Sequence, residues 1–119
     1  MADDFAVVKL PECDVLHVLR DLDIATVGAF SEAIRGLASE GRPVIVDFSK
    51  CAYMDSTGLR IVATEYANLP RGSRIIVPEG GTVRRLFVIT GFDVALAPAS
   101  TLDLALREAG TANEPKPYG

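Results

Sequence analysis

The uninterrupted apolar run Val44-Ile45-Val46 gives way to a polar stretch and then to Leu59, Val62, Ala63 and Tyr66 at helical spacing. That change of period, repeated along the chain, governs what it can fold into. A short β-branched run with no polar alternation is the pattern of a strand covered on both faces, as in the interior of a parallel sheet. Arg74-Ile75-Ile76-Val77 repeats the strand pattern, and Val83, Leu86, Phe87 and Thr90 repeat the helical one, with Gly91 placed as a C-terminal glycine cap. Before them, residues 6–10 and 15–19 form two strand-like runs joined by Pro11-Glu12-Cys13-Asp14, which predicts a hairpin. From Thr26 onward Val27, Phe30, Ala33, Ile34 and Leu37 predict a helix ending before Gly41, and Pro70 limits the next one. Ala95-Leu96-Ala97 predicts a last short strand, and Leu102, Ala105, Leu106 and Ala109 the last helical face. The expectation is an α/β fold: an opening hairpin, then alternating helix and strand, giving one mixed sheet of about four to five strands with four helices. Residues 5–109 are expected to form one domain, and 110–119, "GTANEPKPYG", a flexible tail.

The chain's 119 residues are enough for one core and too few for two ordinary ones. Its net charge of -4 and its lack of a basic run argue against nucleic acid as partner. No stretch approaches the apolar length of a membrane span, and the acidic Met-Ala-Asp-Asp start is unlike a signal peptide, so a cytoplasmic protein without membrane insertion is expected. Cys13 and Cys51 are far apart and the single His17 cannot complete a metal cluster with them, so reduced thiols and no metal or other cofactor are expected. His17, in an alternating strand with Val15 and Leu19, reads as a packed histidine. The chain has neither a G-x-S-x-G elbow nor a phosphate-binding G-x-x-x-x-G-K-[ST] loop, so it is not expected to be an enzyme.

The segment Asp55-Ser56-Thr57-Gly58 sits where a strand pattern passes into a helix pattern. Asp55 or Ser56 can cap the helix, a contribution of about 1 kcal/mol over alanine. Capping leaves Gly58 unexplained, since glycine in a helix costs up to about 1 kcal/mol relative to alanine, and close approach of a partner's backbone is the expected reason. Unpaired N–H groups and the helix dipole favour negative charge at this point, so a phosphate on Ser56, adding roughly 1.5 to 2 negative charges, could be tolerated by the fold. A partner facing Asp23, Asp55 and that phosphate would meet concentrated like charge.

"YMDSTGLRIV", residues 53–62, resembles the signature of STAS-domain anti-sigma factor antagonists. "LRDLDIATV" is similar to that family's G-E-L-D-x-x-T segment, and "PEGGTVRRLFVITGF" to its V-x-R-L-F-x-x-x-G segment, in the family's order over residues 5–109. The resemblance implies phosphorylation at Ser56, with Thr57 the less favoured hydroxyl, and a partner-binding surface of Asp23, Asp55, Ser56, Thr57, Gly58 and Arg60. It also implies a mechanism: the unphosphorylated protein binds an anti-sigma factor serine kinase and releases a sigma factor. Phosphorylation breaks the complex and a PP2C-type phosphatase restores it. Arg20 and Asp21 replace the family's glycine and glutamate, and Arg60 stands where small residues are common, all at the expected contact edge. Two other functions fit the same pattern: a non-phosphorylated STAS adaptor subunit, as in lipid-trafficking ABC transporters, and a small-ligand or anion sensor.

Overall fold

The structure, a computed structural model, describes residues 4–110. The expected tail therefore lies outside the described residues except for Gly110, which closes the last helix. The order is β1 (Phe5–Lys9), β2 (Asp14–Val18), α1 (Val27–Ala38), β3 (Val44–Asp47), α2 (Ser56–Ala67), β4 (Arg74–Ile76), α3 (Thr82–Thr90), α4 (Phe92–Ala95) and α5 (Leu102–Gly110). The strands form one sheet in the order β1-β2-β3-β4. β1 and β2 pair antiparallel with Val7 opposite Leu16, and β2–β3 and β3–β4 pair parallel with Leu16 opposite Val46 and Val46 opposite Ile75.

Side-chain alternation along these strands divides the interior in two. Leu16, Val18, Val44, Val46, Ile75 and Val77 face one way, onto Phe30 and Ile34 of α1, Leu59 and Val62 of α2, and Val83 and Phe87 of α3. Val15, Ile45 and Ile76 face the other way and are covered by Ala99 and Ala105, with Leu106 and Ala109 of α5 alongside. The apolar run of β3 is continuous because both its faces are buried.

The expected strand at Ala95-Leu96-Ala97 is not formed. Phe92–Ala95 is a turn of helix that starts directly from the left-handed Gly91 (φ 81°), which raises the number of helices among the described residues to five. Only Ala99 meets the sheet, exchanging two 2.8 Å backbone hydrogen bonds with Ile75 and Val77. Pro98, which has no N–H to give, precedes it and prevents an extended ladder, and alanine and leucine are among the strongest helix formers, with alanine disfavoured in strands.

Candidate functional site

The site is built where β3 passes into α2. Beyond Asp47 the chain is held by short-range bonds: the Ser49 N–H and hydroxyl donate to Asp47 Oδ1 at 2.9 and 2.6 Å, and the Cys51 N–H donates to the Phe48 carbonyl at 3.0 Å. Two other segments then grip it. The Thr82 hydroxyl at the start of α3 donates to the Ala52 carbonyl at 2.6 Å. The Leu22 N–H donates to the Tyr53 carbonyl at 3.0 Å, and the Asp55 N–H donates to the Leu22 carbonyl at 3.2 Å, forming a parallel bridge between Leu22 and Met54. Leu22 and Met54 are buried. Alternation on a strand-like pair therefore turns their neighbours, Asp21 and Asp23 on one segment and Tyr53 and Asp55 on the other, away from the core.

Asp55 is the N-cap of α2: its carboxylate accepts from the Gly58 N–H at 2.7 Å and its carbonyl from the Leu59 N–H at 2.9 Å. Ser56 is the first helical residue and is exposed, and its hydroxyl has no hydrogen-bond partner among the described residues. Thr57 is half-buried and Arg60, one turn on, is exposed. Asp23, half-buried, is also engaged by backbone, accepting from the Ala25 N–H at 2.9 Å, while the Thr26 hydroxyl accepts from the Asp23 N–H at 3.0 Å. Asp23 and Asp55 thus stand one residue beyond the two halves of a single bridge, at the starts of α1 and α2.

Gly58 requires a correction. It is buried, and a Cβ built on it would lie 2.4 Å from the Leu22 carbonyl oxygen and 3.1 Å from the Met54 Cγ. The room it leaves is taken by the chain's own backbone, at the bridge that joins the Asp23 and Ser56 segments, and not by a partner.

The cysteines are buried and free, and burial pushes both thiols above their usual range. Cys51 donates its S–H to the Tyr53 carbonyl at 3.2 Å. His17 Nδ1 lies 2.8 Å from Asp47 Oδ2, so the histidine is packed against its neighbouring strand and not against Ser56. Arg84, on α3, donates to the Val77 carbonyl at 2.5 Å. Among the described residues no group of three or more His, Cys, Asp or Glu could hold a metal ion, and no helix is long and apolar enough to cross a membrane. Sequence reasoning missed the Leu22–Met54 bridge, the grip of Thr82 on the loop, and the exposure of Ile24 and Tyr53 beside it. All three arise from contacts between distant segments and leave no local pattern.

A family model described as "Mlab, STAS domain" matches residues 5–106. The chain is similar to an anti-sigma factor antagonist from Mycobacterium paratuberculosis, with 28% identity and a TM-score of 0.81 over 89% of this chain and 92% of that one. Its fold is also similar to that of a Thermotoga maritima protein, at 16% identity and TM-score 0.76 over 89% and 94% of the two chains. The phosphorylated form of the Bacillus cell fate determinant SpoIIAA aligns at 23% identity and TM-score 0.59 over 87% and 96%. At those identities the last two speak to fold alone. No curated protein sequence matches the chain.

Proposed function

The chain belongs to the STAS domain family, and from that membership we infer that it is an anti-sigma factor antagonist controlled by phosphorylation of Ser56. The observation that carries this reading is the Ser56 hydroxyl itself: exposed, unbonded, and at the first position of a helix whose cap is supplied by a different residue, Asp55. A residue with a structural task here would be bonded. The similarity to the Mycobacterium paratuberculosis antagonist supports the reading.

In this function the unphosphorylated protein docks on an anti-sigma factor serine kinase in the cytoplasm and frees a sigma factor. Ser56 Oγ then attacks the γ-phosphorus of ATP bound to that kinase, the bond to ADP breaks, and the hydroxyl proton passes to a base on the kinase. The phosphate brings roughly 1.5 to 2 negative charges next to Asp55, facing the phosphates that remain on the nucleotide. The Ser56 and Thr57 N–H groups, which have no acceptor among the described residues, can receive part of that charge. The Gly58 N–H cannot, because Asp55 already occupies it. The fold tolerates the modification and the complex does not. A PP2C-type phosphatase resets the switch, and this chain is substrate throughout, without catalysis of its own.

Incubation with ATP and an anti-sigma factor serine kinase from the same organism, followed by mass spectrometry of the peptides, is expected to find one phosphate, on Ser56. Ser56→Asp is expected to weaken binding of the kinase and Ser56→Ala to retain it. An active kinase that leaves residues 55–58 unmodified would overturn the phosphorylation switch and favour an adaptor that docks by the same edge without modification.

A further inference from the structure

Ile24 and Tyr53 are 78% and 50% exposed and lie on either side of the Leu22–Met54 bridge, on the two segments that lead into α1 and α2. Isolated exposed apolar residues are ordinary. These two are distinguished by what surrounds them. Asp21, Asp23 and Asp55 share the outward side of the same bridge, and among the described residues no cation lies within ion-pair distance of any of the three. Arg20, the nearest in sequence, is held 3.1 Å from Asp4 and feels Asp21 and Asp23 only at longer range. Arg60, one turn beyond Ser56, is exposed on this edge and, unlike Arg20, has no ion pair among the described residues. The result is a patch with two apolar residues among three carboxylates and one guanidinium at its α2 side.

We propose that Ile24 and Tyr53 are the apolar anchors by which this protein docks on its kinase partner, and that Asp21, Asp23 and Asp55 select a partner face whose hydrophobic pockets are edged with arginine or lysine. The proposal rests on the function inferred above and names which residues of this chain determine affinity and which determine choice of partner. Anchors of this kind carry most of an interface's energy when they enter a dry pocket, while charges at the edge govern encounter and discrimination. The arrangement is polar as well as acidic, with Arg60 opposite the carboxylates across Ser56 in sequence, so a complementary face can seat in one orientation. That orientation brings the serine hydroxyl to one place on the partner. Val88, Ile89 and Val94 make another exposed apolar group, on α3 and α4, but it has no comparable charge pattern to specify an occupant.

The test uses the full chain and the anti-sigma factor serine kinase that phosphorylates it, with a non-hydrolysable ATP analogue, titrated in a calorimeter. Ile24→Ser and Tyr53→Ala are each expected to weaken binding at least about tenfold, with melting temperatures unchanged because both side chains are exposed. Asp21→Asn is expected to slow association several-fold and to flatten its dependence on salt. Val94→Ser, 81% exposed on α4, serves as the control and is expected to bind as the parent does. Parent-like binding by Ile24→Ser and Tyr53→Ala, with the unmodified chain binding well, would overturn the anchors and leave the function standing. Absence of binding by the unmodified chain to an active kinase would overturn both.

Discussion

The two ends of the central strands β2 and β3 differ in the aspartates they leave without a counterion. At their N-terminal end Asp14, 0% exposed, is answered by Arg42 at 2.7 Å and by Lys9, its cross-strand neighbour on β1, at 3.2 Å. Lys9 also reaches Glu40 at 2.7 Å, and Arg42 donates to the Leu10 and Cys13 carbonyls. Each of these four charges has a partner from another segment, and the hairpin turn is tied to the β3 entry by them. At the C-terminal end the buried Asp47 is likewise answered from inside, by His17 and Ser49, but Asp55 is held by a backbone N–H group, Asp23 by a backbone N–H group and the Thr26 hydroxyl, and neither they nor Asp21 have an ion pair among the described residues. A charge buried for architecture must be neutralised inside the molecule, because an unpaired one is strongly destabilising. A charge held in position but left without a counterion is available to a second molecule. The contrast separates the scaffold from the surface proposed to meet a partner.

The largest effect expected from this contrast is at the closed end. Arg42→Ala removes the nearer cation from a fully buried carboxylate and should lower stability by about 3 kcal/mol, the lower part of the range for breaking a buried pair, since Lys9 remains. Urea denaturation measures it. Binding by the folded protein should be unchanged, because the network lies at the opposite end of the strands from Ser56. A loss below about 1 kcal/mol would mean that Asp14 behaves as a surface ion, and the distinction between the two ends would fail.

The next effect tests how the open end is fixed in place. Gly58→Ala forces a methyl group against the Leu22 carbonyl, and backbone cannot swing aside as a flexible side chain can. Overpacking of this kind should destabilise by about 2 kcal/mol, despite alanine's better helix propensity. Gly81, the N-cap of α3, has nothing within 4 Å of the same position, so Gly81→Ala should lose only glycine's advantage over alanine as a cap, under about 1 kcal/mol. Equal melting temperatures for the two variants would remove the claim that Gly58 locks the Asp23 and Ser56 segments together.

The features that could be read in advance were the local ones. Val44-Ile45-Val46 and Arg74-Ile75-Ile76-Val77 announce interior strands because burial on both faces is written directly into consecutive residues. Gly91 announces a helix end because a left-handed residue there favours glycine. Asp55-Ser56 likewise announces a helix start, since capping depends on residues three positions apart. Gly58 shows where local reading stops: its glycine character is visible, but its cause is a carbonyl at Leu22, brought in by the bridge to Met54. The exposure of Ile24 has the same origin, because a lone isoleucine between charged and small residues looks no different from a buried one until the segments around it are placed. Ala95-Leu96-Ala97 fails for a third reason: its side chains favour helix over strand, and Gly91 and Pro98 on either side limit what it can form.

The smallest effects divide the two residues that the helix start leaves to choose between. Asp55 accepts from Gly58 and Ser56 accepts from nothing, so Asp55→Ala should cost about 1 kcal/mol and Ser56→Ala less than about 0.5 kcal/mol. The difference is within reach of paired urea titrations, which also hold the unfolded-state contribution nearly constant because both residues are exposed in that state. In a phosphorylation assay the order should reverse. Ser56→Ala should abolish transfer outright, whereas Asp55→Ala should still present a hydroxyl and lose only one carboxylate from the proposed docking edge. A Ser56→Ala loss as large as that of Asp55→Ala would make the serine a structural residue and leave the open end without a chemical centre. The separation of stability from acceptance, one residue apart, is what a helix start must achieve if its first hydroxyl is to be modified without melting the helix behind it.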